Sequence, residues 1–395
     1  MAAQPPRRAA TTRLVRGAPA PAAASFADMV QRRLRNQRLV GGRAARPEAV
    51  VAVLGAVQAQ DYLGVQWAVA QRAGDCTEAD IEDALGRGAI LRTHVLRPTW
   101  HLVAPDDIRW MLELTAPRVH ALNAPYYRQN GLDAKVFARS DDLIARAVQG
   151  GRHQTRDDLR AVLRDAGIPA DGLRLALLLM HAELEAVVCN GPRRGKQLAY
   201  AALDERAPDA RRLAPGDALV ELGRRYFAGH GPARAQDFAW WSGLRVADAQ
   251  AAIAALGSTL QSQRLGDDTY WAAAGQTGRR PPRGSPRVHL LPSYDEYVVA
   301  YRNHAAIVEP GHARTLSIRG GFVGASVLTV DGRVAGSWRR TLGRDRVNVQ
   351  AQLLVPLAPA ARSALEREAQ RYGQFLKLPV NLDARGPRRP RARKP

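Results

Sequence analysis

Cysteine is nearly missing: Cys76 and Cys189 are the only two in 395 residues. Two thiols so far apart form neither a disulfide framework nor a cysteine metal cluster, and they fit a reducing compartment. Lysine is scarce as well, four residues against 54 arginines. No apolar run approaches the ~18 residues of a membrane helix, so no membrane association is expected. The nine histidines are scattered and there is no H-E-x-x-H, which leaves no metal-ligand spacing and argues against a zinc deaminase. A G-x-x-x-x-G-K-[ST] loop, a convincing G-x-G-x-x-G and a G-x-S-x-G elbow are also absent. The expectation is a protein that uses neither metal nor cofactor.

What is abundant is positive charge. The net charge is +21, which points to an anionic partner. Residues 1–40 contribute +7 and residues 385–395 contribute +6, which leaves only +8 for the body between them. The arginines suit bidentate phosphate contacts, although a GC-rich genome would enrich arginine and alanine without any such role. Residues 1–24, rich in Ala, Pro and Arg, read as a disordered basic tail, with a transit peptide as the alternative. Residues 386–395 read as a second basic tail.

Between the tails one layout recurs three times. Order begins at Ser25, placed to cap a helix through Phe26, Met29, Val30 and Leu34 that stops at Gly41-Gly42. A second helix starts at Pro47 and is expected to run through Val57 to Gln58-Ala59-Gln60. Tyr62 to Ala73 is a third, and Thr77 with Asp80 opens a fourth. The period then changes at Ile90 to Ala104, ILRTHVLRPTWHLVA, whose β-branched and aromatic residues, punctuated by Arg97-Pro98, read as a hairpin. Helices followed by such a hairpin are the layout of a winged helix. The plan returns with a helix capped at Thr155, an apolar helix over 172–186 and strands within 187–200 around a basic loop at Pro192–Lys196. It returns again with helices over 217–228, 233–240 and 244–255, joined at Trp241-Ser242-Gly243, and a hairpin across Gly266-Asp267-Asp268. Residues 275–287 read as a linker. Beyond it come a strand at 288–291, a helix over Asp295 to Asn303, a hairpin across Asp331-Gly332, a strand at 347–355 and a helix at 358–375. The fold class is therefore α+β: winged-helix units at 25–139, 140–210 and 211–275, then a small α/β domain at 276–385.

Few residues offer chemistry. Gln58 and Gln60 flank Ala59; either one caps the helix while the other faces solvent, or the pair works on a substrate. In the second case an amide carbonyl holds a water in line, the NH₂ donates to a sugar or phosphate oxygen, and the adjacent Asp61 polarises the water. An N-alkylated base already leaves with positive charge, so water placement and stabilisation of an oxocarbenium-like sugar suffice without a strong acid. In the hairpin, Arg92, Arg97, Thr99 and His101 are either solvated wing residues or groove contacts. Ser242 and Arg245 are placed for a phosphate. Trp240 and Trp241 read as core or as base-stacking rings, and Tyr294-Asp295-Glu296-Tyr297 as a structural hydrogen-bond network.

The segments RRLRNQRLV, AVQAQDYLGVQWAVAQR, LRTHVLRPTWHLV, QTRDDLRAVLRDAG, DFAWWSGL, HLLPSYDEYVVAYRNH and DGRVAGSWRR, spread over residues 26–380, resemble the AlkZ/YcaQ-type DNA glycosylases. Gln58-Ala59-Gln60 matches that family's Gln-x-Gln element. The resemblance implies three tandem winged helices forming a C-shaped cleft and a β-rich C-terminal part. It implies monofunctional removal of bulky or crosslinked N-alkyl purines from double-stranded DNA, with no metal and no catalytic lysine. Gln58 and Gln60 would position water and steady the sugar cation, and the Arg92–His101 hairpin would probe the duplex. A monomeric bacterial protein of the cytoplasm and nucleoid, with a DNA-repair or self-resistance role, is the matching expectation. The alternatives are a non-catalytic DNA binder, such as a regulator or lesion-sequestering protein, and an interaction protein whose tails merely bind polyanions.

Overall fold

The computed structural model describes residues 25–195, 197–276, 284–317 and 321–387. Tail 1–24, nearly all of the C-terminal tail, most of the linker and Lys196 of the basic loop lie outside them.

The N-terminal third holds helices α1 (Phe26–Asn36) and α2 (Pro47–Leu54), strand β1 (Ala56–Gln58), helices α3 (Tyr62–Arg72) and α4 (Glu78–Gly86), strands β2 (Leu91–His94) and β3 (Trp100–Val103) and the long helix α5 (Ile108–Gln129). Caps explain several starts. The Ser25 hydroxyl accepts from Asp28 N at 3.1 Å, and Thr77 N donates to Asp80 at 2.7 Å. The helix expected to end at Gln58-Ala59-Gln60 stops earlier, at Leu54. Gly55, at φ +79°, breaks the period, and residues 56–58 become a strand paired antiparallel to β3, in a sheet ordered β1-β3-β2. Val57 fits a helical stripe and a buried strand equally well, so spacing alone could not separate the two.

The middle holds α6 (Ala134–Val148), α7 (Arg156–Asp165), α8 (Gly172–Leu184), β4 (Val188–Arg194), β5 (Gln197–Ala202) and α9 (Leu203–Arg206). Then follow α10 (Pro215–Gly229), α11 (Ala235–Ser242), α12 (Val246–Leu256), β6 (Leu260–Leu265) and β7 (Asp268–Ala273). Each group is a set of helices closed by an antiparallel hairpin. The C-terminal part comprises β8 (Val288–Leu291), α13 (Glu296–Val299), α14 (Pro310–Leu316), β9 (Val327–Val330), β10 (Arg333–Leu342), β11 (Val347–Leu353), α15 (Pro359–Leu376) and β12 (Val380–Arg385). Its five strands run β12-β11-β10-β9-β8. α15 serves as the crossover that lays β12 parallel to β11, and the other pairs are antiparallel. The helix expected over Asp295 to Asn303 is only the four residues of α13, capped by Asp295, whose side chain accepts from Tyr297 N at 2.9 Å.

The cores do not follow chain order. Val50, Leu54, Val57, Trp67, Ile81 and Leu102 pack in one cluster with Leu290, Trp338, Val349, Tyr372 and Phe375 from the C-terminal sheet and α15. Met29, Val30 and Leu34 of α1 pack with Leu291, Tyr297 and Val327, so the first helix belongs to the C-terminal body. Phe137, Ile144, Leu159, Leu163 and Leu178 form a separate cluster, which places α6 with α7 and α8.

Glu368 of α15 is buried with one carboxylate oxygen lacking a hydrogen-bond partner. Burial pushes its pKa up to about 7, against the pull of Arg371 and Arg43. A folded-state pKa above the unfolded value stabilises the fold at low pH, and that stability is lost as pH rises through about 7. Glu368→Gln should therefore raise the denaturation midpoint at pH 8 and do progressively less toward pH 5. Equal midpoints at pH 8 would count against the assignment.

Candidate functional site

Gln58 ends β1 and Gln60 lies on the short connection to α3, and they are presented differently. Gln60 is exposed, whereas Gln58 is only 6 % exposed. The Gln58 carbonyl oxygen accepts from Arg97 Nη2 at 2.5 Å, and its backbone N–H donates to Glu296 at 2.8 Å. Among the described residues, no group hydrogen-bonds its Nε2. The two amides are thus presented unequally: one faces out, and the other is held from behind.

Asp61 is engaged rather than free. It caps α3, accepting from Gly64 N at 3.0 Å, and it binds Arg340 Nη2 through both oxygens at 3.0 and 3.1 Å. A carboxylate so occupied is a poor partner for a water. Its contribution is to fix the backbone immediately after Gln60, a cap contributing about 1 kcal/mol.

The hairpin β2–β3 is neither solvated nor fully presented. Arg92 packs its guanidinium over Trp100, 4.3 Å from the ring centre, and donates to Ala59 O at 3.2 Å, bridging to the residue between the two glutamines. Its N–H donates to buried Asn190 of β4 at 2.5 Å. His94 is bound by Glu183 of α8. Half-buried Arg97 donates to Trp240 O at 3.3 Å and lies 5.8 Å from that indole ring. Burial brings the Arg97 pKa down to about 10, so it remains a cation at neutral pH. His101, the cross-strand partner of Gln58, is fully buried. Its Nδ1–H donates to Thr99 O at 2.9 Å, and burial together with Arg97 holds its pKa well below the usual range. The imidazole is therefore neutral, and its Nε2 is a buried acceptor without a partner among the described residues. The expectation that His101 contacts DNA is corrected: it packs behind Gln58. Thr99 is half-buried, also with an unpartnered hydroxyl.

Ser242 is a further correction. It is fully buried and donates to Phe238 O at 2.7 Å, a bond made within α11, so it is not offered to a phosphate. Arg245 is exposed but paired with Asp248 at the start of α12. The rest of that helix turns Ala247, Gln250, Ala251, Ala254 and Ala255 outward, with no further cation. Gly243, at φ +72°, makes the α11–α12 turn in a conformation that favours glycine; a Cβ there would lie 2.2 Å from Leu96 O, so this turn buttresses the hairpin.

Glu296 was legible only as one member of a polar run. It is fully buried and gathers the Gln58 N–H, Trp241 Nε1 at 2.9 Å and His230 Nε2 at 3.2 Å. Beside it Asp295 takes Arg72 in a two-pronged pair at 2.7 and 2.9 Å, with both side chains buried. The run Tyr294–Tyr297 is a structural network, and Trp241 is core. Trp240, 41 % exposed, is the ring left at the surface beside Arg97. The partners missed from sequence, Glu296, Arg340 and Asn190, stand 132 to 282 residues from Gln58 in the chain, beyond any local pattern.

Histidine spacing likewise concealed one cluster: His120, His181 and Glu185 bring their ligand atoms within 4.8 Å of one another. No helix among the described residues is long and apolar enough to cross a membrane.

Known proteins resemble this chain. An interstrand DNA cross-link repair glycosylase from Streptomyces sahachiroi is 23 % identical over 386 residues, covering 91 % of this chain and 99 % of that protein. The solved structure of Streptomyces sahachiroi DNA glycosylase AlkZ superposes with a TM-score of 0.76 at 21 % identity, covering 91 % of this chain and all of that one, which establishes the shared α+β fold. The family model for AlkZ-like DNA glycosylases matches residues 51–375, a span that contains Gln58, Gln60, the hairpin and Glu296, and the chain therefore belongs to the AlkZ-like DNA glycosylase family.

Proposed function

We propose that this chain is a monofunctional DNA glycosylase that hydrolyses the N-glycosidic bond of bulky or crosslinked N-alkylated purines in duplex DNA. The observation that carries the proposal is Gln60 exposed one residue before the α3 cap, with Gln58 held behind it by Arg97 and Glu296. The three helix-and-hairpin groups are read as tandem winged helices around a cleft, bounded near 25–139, 140–210 and 211–275, with the α5–α6 turn as the better first boundary. An open cleft suits a base tied to both strands, which cannot be swung into a deep pocket.

In this mechanism the alkylated purine leaves as a neutral base, so no acid is required. Gln60 holds the water against the anomeric carbon; as the water oxygen bonds to that carbon and the C–N bond breaks, the proton it sheds passes to bulk solvent. In the free protein Arg97 occupies the Gln58 carbonyl oxygen. A guanidinium beside an oxocarbenium would oppose the reaction, so Arg97 moves to a backbone phosphate when DNA binds. That move frees the Gln58 carbonyl to face the sugar cation while its NH₂ donates to a substrate oxygen. Arg92 acts from beneath, clamping Ala59 O. Ser242 and His101 take no part in contact with DNA, and Arg245 is left as a peripheral phosphate contact.

The test is incubation with a duplex carrying N7-methylguanine or an interstrand N7-alkyl crosslink, followed by hot alkali. Strand breaks at the lesion, formed under chelation and in excess over spontaneous depurination, are the expected result. Tight binding of the same duplex without base release would leave a lesion binder instead. Arg97→Ala is expected to weaken binding across sequences and to lower the slope of log K against log salt by about 0.9, the value for one lost phosphate contact. An unchanged slope would show that Arg97 never reaches the backbone.

A further inference from the structure

A second cluster lies where α5 meets α8, outside the residues used above. His120 comes from α5, while His181 and Glu185 stand one turn apart at the end of α8. Both imidazoles are oriented through Nδ1: that of His181 binds Asp141 at 2.9 Å, and that of His120 meets the Tyr127 hydroxyl at 3.0 Å. A carboxylate behind a histidine fixes the tautomer that leaves Nε2 as a lone pair, the usual outer support of a metal-bound histidine. His181 is further pinned by stacking on Phe137, with centroids 3.8 Å apart at 8°.

The front of the cluster is chemically incomplete. His120 Nε2 is buried and lies 2.9 Å from Glu185 Oε1, yet out of line for a hydrogen bond. A nitrogen set this close to a carboxylate oxygen, off the line of a hydrogen bond, is a geometry that a cation between them would complete.

We propose that His120, His181 and Glu185 form a zinc site that clasps α5 to α8. Two imidazole nitrogens and one carboxylate oxygen are a zinc donor set, and the exposed side at Glu185 leaves the fourth position to water. Donors on a tetrahedral zinc stand about 3.4 Å apart, given metal–ligand bonds of ~2.0–2.1 Å. The three ligand atoms, all within 4.8 Å of one another, lie close to that spacing, and Glu185 on the exposed side is free to adjust to an ion. The clasp would also steady Glu183, the α8 residue that holds His94 of the hairpin, so that metal binding stiffens the helix supporting the proposed DNA-facing element.

The experiment uses the full, tag-free chain stripped with chelator. Calorimetric titration with Zn²⁺ is expected to show one equivalent binding with a Kd below about 1 μM, together with a rise in Tm that grows with free Zn²⁺. Co²⁺ in its place should give the intense visible bands of tetrahedral coordination. Glu185→Gln, an exposed change that leaves the fold intact, should weaken binding at least about 10-fold, His181→Ala should abolish it, and Asp141→Asn should cost about 10- to 100-fold. Failure of the wild-type chain to bind Zn²⁺ saturably, or wild-type affinity in both Glu185→Gln and His181→Ala, would overturn the proposal.

Discussion

Replacing Gln58 and Gln60 together by alanine is expected to lower the single-turnover rate of N7-alkylguanine release by about 10²–10³-fold, the loss seen when a preorganised transition-state donor is removed. Binding of undamaged duplex should change little, because phosphate contacts supply that affinity. The single variants should differ. Gln60 makes no side-chain hydrogen bond among the described residues, so Gln60→Ala should act on the rate alone. Gln58→Ala also strips Arg97 of the shorter of its two hydrogen bonds and should cost stability on the order of 1–3 kcal/mol. In a double-mutant cycle Gln58 and Arg97 should couple, while Gln60 and Arg97 add independently. The measurement is alkali-revealed strand scission under enzyme excess, with circular dichroism for folding. Release at the wild-type rate by the folded double variant would remove the amide pair from the mechanism.

The second large effect is on stability. Arg72 and Asp295 are 1 % and 0 % exposed at their side chains, and they join α3 to the loop before α13. Asp295→Ala leaves a guanidinium buried beside Gln37 with its charge unanswered, at a cost of about 3–5 kcal/mol. Removing both charges, as in Arg72→Met with Asp295→Leu, should recover most of that loss, since a well-packed apolar pair often replaces a buried ion pair without penalty. The denaturant midpoint of the three variants decides it: an Asp295→Ala midpoint indistinguishable from wild type would show that the pair does not fasten these elements.

Sequence periodicity revealed the helices whose starts carry caps, such as those at Ser25, Thr77 and Thr155, and the hairpin at Asp331-Gly332 with its demanding turn. It did not reveal α5, where Pro117 and Pro125 interrupt a helix kept continuous by the burial of Trp110, Met111, Leu112 and Val119. It misplaced Gln58 on a helix, because tertiary pairing with His101 decided a segment whose local preference was balanced. At the site, the Gln-x-Gln element and the arginine hairpin were legible as residues. Their presentation was not: that Gln58 is covered and Gln60 open depends on Arg97, Glu296 and Trp240, a relation that only the folded chain creates. Ser242 was misjudged for a related reason. A serine beside a tight turn resembles an anion ligand in one dimension, and here its hydroxyl is spent on the carbonyl one turn back.

One core described above has a consequence for how the protein is made. Val57 and Leu102 bury against Leu290, Trp338 and Tyr372, partners translated 188 to 315 residues later. At roughly 5–20 residues per second, the apolar side of the first segment waits about 10–60 s on the ribosome before its counterparts emerge. Through that interval Val50, Leu54, Trp67 and Leu102 are an adhesive surface, and slow, long-range closure of this kind exposes a nascent chain to aggregation. Yield in a recombinant host should therefore depend on translation speed and chaperone supply more than on the stability of the finished molecule.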